Sequence, residues 1–129
     1  ATRCGSIDPG AILYLLKNQY ASVDELENEL NAFSGLLGVS GISGDIREVI
    51  KTAEKGDEQA NLALDVFVHR LQSCLGSMIA SLGGLDALVF TAGIGENIPS
   101  IREKACASFS FLGLEIDSEK NNSPSKEER

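Results

Sequence analysis

DALVFTAGIGEN, Asp86 to Asn97, passes from an apolar run into two closely spaced glycines and closes on a carboxylate and an amide. Within it, ALVFTAG is the best strand pattern in the chain, an apolar run of the kind buried in a parallel sheet. The segment that follows, IPSIREKACASF, carries Pro99 in what reads as the first turn of a helix. Strand, glycine turn and helix in this order place backbone amides at the carboxyl end of a strand and at a helix N-terminus, where α/β proteins commonly take up phosphate. The turn is not a P-loop, because no Lys-Ser/Thr pair follows. It is not the dinucleotide fingerprint either, because Gly93-Ile94-Gly95-Glu96-Asn97 lacks a third glycine. Two readings stand side by side: a tight turn that lets helix pack closely on strand, and a loop that holds a nucleotide. Glu96 would repel a triphosphate seated directly on the turn, which favours a nucleoside or its first phosphate.

Upstream, helix signals follow one another. Asp8 and Pro9 read as N-cap and first helical position of a helix from about Pro9 to Gln19. Ser22 and Glu25 form a capping box ahead of Val23, Leu26, Leu30 and Phe33, with a glycine stop at Gly35. From Ser34 to Asp45 glycine recurs every three residues, and the segment reads as a loop. Asp45 then caps a helix that ends at Gly56, with Glu48 in the third position. Leu62, Val66, Leu71, Leu75, Ile79 and Leu82 follow helical spacing up to Gly83 and Gly84, which predicts a long, largely buried helix. FLGLEI reads as a last strand, and DSEKNNSPSKEER as a polar, frayed end. The sum is an α/β class with about five helices against one or two strands, and so small a sheet does not stand alone, so the chain reads as a segment of something larger.

Composition bounds the function. The 129 residues fit one domain or part of one; they are 43% hydrophobic and 23% charged, with a net charge of -8. That field repels polyanions, so nucleic acid is not an expected partner, whereas a nucleotide remains feasible with a divalent cation on its phosphates. Cys4, Cys74 and Cys106 are odd in number and widely spaced, which fits neither a disulfide framework nor a zinc site. No membrane span or secretory signal is visible, and a cytoplasmic location is expected by default.

Few side chains stand out chemically. Arg3 reads either as a solvated arginine or as a group that stabilises charge on a transferring phosphoryl. Asp45 and Arg47, taken alone, read first as a helix-capping pair, and second as ligand contacts following a glycine-rich loop. His69 reads as a helix-face histidine, and Cys74 as a buried small hydrophobe.

Three stretches taken together resemble the acetate kinase family, which belongs to the larger sugar-kinase, actin and Hsp70 superfamily. TRCGSIDPG is similar to that family's Thr-Arg-Ser-Gly-Asp-x-Asp-Pro segment, GVSGISGDIREV to its Ser-Gly-x-Ser-x-Asp-x-Arg segment, and LVFTAGIGEN to its Phe-Thr-Ala-Gly-Ile-Gly-Glu-Asn signature, in the same order and spacing. Cys4 and Ser6 depart from the first pattern, while Arg3, Asp8 and Pro9 keep it. The resemblance implies a partial actin-like (ribonuclease H-like) ATPase domain over residues 1–122, with 123–129 as a disordered tail. It implies phosphoryl transfer from ATP to acetate, giving acetyl phosphate and ADP, with Mg2+ on the phosphates and its ligands mostly outside this chain. By the same resemblance Arg3 is the catalytic arginine, Asp45, Ile46 and Arg47 contact adenosine, and Gly93, Ile94, Gly95 and Asn97 hold the nucleotide. Family members are longer, with two similar domains and the active site between them, and are expected to pair as homodimers. This segment is therefore expected to bind nucleotide but to catalyse little without the remainder. Propionate and butyrate kinases are near alternatives. A non-catalytic interaction or regulatory module of kinase ancestry is the alternative from another class.

Overall fold

A computed structural model describes residues 1–123. The described residues hold eight α-helices: α1 (Pro9–Asn18), α2 (Val23–Ala32), α3 (Gly35–Ser40), α4 (Ile46–Ala53), α5 (Glu58–Leu82), α6 (Ala92–Asn97), α7 (Pro99–Ala107) and α8 (Ser118–Asn122). A 3-10 turn covers Ser110–Leu112. The chain divides into two compact units, Ala1–Asp65 and the residues from Val66 onward, so that α5 begins in the first and ends in the second.

In the first unit the caps do what the sequence predicts. The Gly10 amide donates to Asp8 Oδ1 at 2.7 Å and opens α1. The Glu25 amide donates to Ser22 Oγ at 3.1 Å, while Glu25 Oε2 reaches back to the amide of Ala21, one residue before the cap itself. Leu26, Leu36, Ile46, Val49, Ala60, Ala63 and Leu64 are buried and form the core, with α2, α3, α4 and the start of α5 each contributing. Ser34–Asp45 is not wholly a loop: α3 forms within it. Leu36, only 3% exposed, is buried in that core, and this burial outweighs the low helix propensity of glycine. Gly41, at φ 67°, ends the helix in the left-handed region.

In the second unit the core is Val68 of α5, Ile101, Ala105 and Cys106 of α7, and Phe109. Gln72 Nε2 donates to the Lys104 carbonyl at 2.8 Å, tying α5 to α7. The expectation of a largely buried α5 is corrected. Leu62, Val66, Met78 and Leu82 are 49%, 47%, 58% and 75% exposed, and the buried positions are confined to Ala60, Ala63, Leu64 and Val68. Cys74 is exposed as well, not the buried hydrophobe its neighbours suggest.

The one or two strands are also corrected: none forms among the described residues. Ala87–Phe90 and Leu114–Ile116 run without ladder partners, and a strand exists only when a neighbour accepts and donates its backbone bonds. FLGLEI instead enters through the 3-10 turn and bends at Gly113, φ 79°. The polar end is ordered further than expected, because Asp117 Oδ1 accepts from the Lys120 amide at 3.0 Å and caps α8. The tail expected at 123–129 lies, beyond Ser123, outside the described residues.

Candidate functional site

The predicted site residues fall into two sets, one on each unit. In the first unit, Thr2 Oγ1 donates to the Asn31 carbonyl at 2.7 Å and the Cys4 amide to the Leu30 carbonyl at 2.8 Å, fixing the backbone on both sides of Arg3. The opening residues lie hard against two glycines. A Cβ on Gly35 would come within 2.4 Å of the Ala1 carbonyl oxygen, and one on Gly44 within 2.5 Å of Thr2 Cγ2. Ala1 N reaches the Gly44 carbonyl at 3.0 Å. The segment bearing Arg3 is thus pinned beside the residue that precedes Asp45. Arg3 itself is exposed, and no described residue takes its guanidinium as a hydrogen-bond or ion-pair partner.

From Ser40 to Arg47 the loop is held by three short steps of one kind. The Ile42 amide donates to Ser40 Oγ at 3.1 Å, the Asp45 amide to Ser43 Oγ at 3.1 Å, and the Arg47 amide to Asp45 Oδ1 at 2.9 Å. Each spans two residues, the pattern by which small polar side chains stand in for backbone turns. Arg47 then returns to the same carboxylate, Nε donating to Oδ1 at 3.0 Å and Nη2 to Oδ2. The guanidinium beside Asp45 lowers that carboxyl from 3.8 to about 2. The pair leaves the Arg47 side chain 81% exposed, held flat by its two-pronged bond. Ile46 differs from its neighbours: at 5% exposure its side chain belongs to the core, so only its backbone is open to a ligand.

In the second unit the glycine turn is itself a helix. Gly93, Ile94, Gly95 and Asn97 all lie on α6, and Asn97 Nδ2 donates to the Gly93 carbonyl at 2.9 Å. The helix stops at Ile98, which precedes Pro99 and is extended at φ -121° and ψ 90°, because the proline ring excludes the helical region for the residue before it. Ala92 opens the helix at φ 61°; among the described residues it is the one non-glycine in the left-handed region. That costs about 1–2 kcal/mol and persists only where surrounding contacts enforce it. The two glycines are not equivalent. A Cβ on Gly95 would rest against Phe90 at 3.4 Å, whereas a Cβ on Gly93 would meet nothing within 4 Å.

Sequence reasoning missed Arg102 and Asn121. Arg102, 8% exposed, donates from Nη1 to the carbonyls of Gly95 and Glu96, each at 2.9 Å, from Nε to Asn121 Oδ1 at 2.7 Å, and from Nη2 to the Asn121 carbonyl at 2.6 Å. One signal was present: Arg102 sits on the apolar stripe of α7, beside Ile101 and in register with Ala105 and Cys106. Arg102 and Asn121 line a cleft of ≈ 480 Å³ together with Leu88 and Phe90 on one extended segment and Leu114 and Ile116 on the other.

Among the described residues, no three His, Cys, Asp or Glu side chains gather to hold a metal ion, and no helix is long and apolar enough to cross a membrane. His69 is exposed on α5, as read from the sequence.

A sequence model of the acetokinase family matches residues 1–129. The chain is 57% identical to an acetate kinase of Rippkaea orientalis over 124 residues, and 54% identical to one of Nostoc punctiforme over 120. These alignments take in 95% and 93% of this chain but 31% and 30% of the relatives, so the chain spans about a third of their length. Among solved structures it is similar to an acetate kinase of Entamoeba histolytica, with a TM-score of 0.88, 34% identity, and coverage of 95% of this chain and 32% of that one. It is similar also to a propionate kinase of Francisella tularensis, with a TM-score of 0.84, 46% identity, and coverage of 93% and 31%.

Proposed function

From a chain that belongs to the acetokinase family, we propose that this is the nucleotide-handling part of an enzyme that transfers the terminal phosphoryl of ATP to acetate, reversibly, giving acetyl phosphate and ADP. The observation that carries the reading is the family match over all 129 residues, which takes in every site residue named above. The local geometry supports it. In such a transfer a carboxylate oxygen bonds to the γ-phosphorus as the bond to the ADP oxygen breaks, and the enzyme's task is positioning and charge stabilisation. Arg3, on a pinned backbone and without a guanidinium partner among the described residues, is suited to the charge on the equatorial phosphoryl oxygens. Arg47, held flat by Asp45 and open to solvent, offers a cationic plate on which an adenine ring stacks. Gly93 leaves its backbone open to close approach, an opening that packing within this chain does not require. Glu96 on the same helix assigns that contact to the nucleoside end and not the γ-phosphate.

Mg2+ would arrive on the phosphates of the nucleotide. The described residues do not gather a cation-binding set of their own.

Titration calorimetry with Mg-ADP tests the binding claim on this chain and on Arg47→Ala and Asn97→Ala variants. Heat is expected from the parent and about tenfold weaker binding from each variant, as for one lost charged or polar contact; equal heats from all three would count against it. An acyl-phosphate assay tests the partial character, because turnover matching a complete kinase would show that residues beyond this chain are not required. The Francisella similarity favours one second reading, propionate as acceptor; it is separated by comparing the two acids in the complete enzyme. An interaction module of kinase ancestry is favoured by the exposure of Val89 and Phe111, each 77% exposed. Nucleotide binding by the parent chain argues against that alternative as the whole function.

A further inference from the structure

We propose that Arg102 and Asn121 are positioning residues that hold α6 in the conformation nucleotide contact demands; the role rests on the reading of α6 given above. A six-residue helix is too short to sustain itself, and this one begins on the strained Ala92. Something outside the helix must hold it. The Arg102 guanidinium takes the carbonyls of Gly95 and Glu96, two of the groups that the last turn leaves without intrahelical partners. The other edge of the same guanidinium is fixed by Asn121, which accepts from Nε on Oδ1 and from Nη2 on its backbone oxygen. Asn121 Nδ2 in turn donates to the Pro99 carbonyl at 3.1 Å. The circuit runs from α6 through the guanidinium to α8 and back to the first residue of α7, immediately beyond the break at Ile98. It therefore fixes the direction in which α6 leaves α7.

The choice of residue supports positioning over mere packing. All four bonds end on carbonyl oxygens, so a full charge is buried among dipoles where an apolar side chain on this stripe would avoid the desolvation cost. What an apolar residue lacks is the planar fork, which addresses two edges at fixed angles. Lysine keeps the charge but not the fork.

Amide hydrogen exchange on the full chain reads the clamp directly, alongside Mg-ADP calorimetry. Arg102→Lys is expected to speed exchange of the α6 and Ile98 amides about tenfold while α5 and α7 keep their protection, as for a local opening. Mg-ADP affinity falls by about the same factor. Asn121→Ala is expected to act likewise. Asn121→Asp keeps the acceptor for Nε but sets a carboxylate oxygen against the Pro99 carbonyl in place of the amide donor, and is expected to loosen α6 less than Asn121→Ala does. If Arg102→Lys and Asn121→Ala leave α6 protection unchanged, or loosen α5 and α7 equally, the proposal is overturned. If α6 alone loosens in a chain whose parent gives no heat with Mg-ADP, the clamp is upheld and the nucleotide reading fails.

Discussion

Single side chains here carry either electrostatic or steric weight, and the two are separable by experiment. Asp45 carries the first kind. Its carboxyl, lowered to about 2 by the Arg47 hydrogen bonds, binds its proton less readily folded than unfolded, where 3.8 is the ordinary value. Its contribution is therefore complete above pH 3.8 and lost as the pH falls through about 2. Following the Asp45 carboxyl by NMR should give a midpoint near 2, returning toward 3.8 in Arg47→Ala. An unchanged midpoint would show that the cap bond alone sets it. Gly35 carries the second kind. At φ 58°, with the Ala1 oxygen 2.4 Å from where a Cβ would stand, it has neither conformational nor steric room for a side chain. Gly35→Ala is expected to cost about 2–4 kcal/mol in urea unfolding, whereas at Gly95, where a Cβ would rest 3.4 Å from Phe90, the same change is expected to cost about 1 kcal/mol or less.

At the scale of elements, α5 shows that periodicity records which residues are apolar and not which of them find a partner. Its early turns are closed by Ala60 and Ala63, at 0% and 1% exposure, and Ala60→Leu should overpack the site by about 1–3 kcal/mol. Met78, on the same helix at 58% exposure, should tolerate Gln within about 0.5 kcal/mol. Equal shifts in the two unfolding midpoints would contradict this division. The caps at Asp8, Ser22 and Asp45 were legible because each is a local contract between a side chain and an amide two or three residues on. The helix α3 was not, since its glycines argue against it and only Leu36 in the core argues for it. The strands were misread because an apolar run announces burial, while the ladder that makes it a strand must come from elsewhere. Arg102 and Asn121 lie 19 residues apart, and no local pattern announces such a pairing.

Across the molecule, a net charge of -8 is set against a surface on which many large apolar side chains remain open, Leu82, Val89 and Phe111 among them. Repulsion between copies opposes association at neutral pH and vanishes near the isoelectric point. Turbidity should accordingly peak near pH 4.6, and a flat profile from pH 7 downward would show that these side chains do not associate. The extended run at Ala87–Phe90 bears on the same exposure in another way. Its backbone makes no hydrogen bond to another described residue, it is approached through Gly83 and Gly84, and Val89 stands 77% exposed. A peptide already drawn out, with its amides unengaged, is the form in which a protease takes its substrate. Brief digestion with chymotrypsin should cut first after Leu88 or Phe90, and the turn that follows them would then be severed from α5 by a single scission.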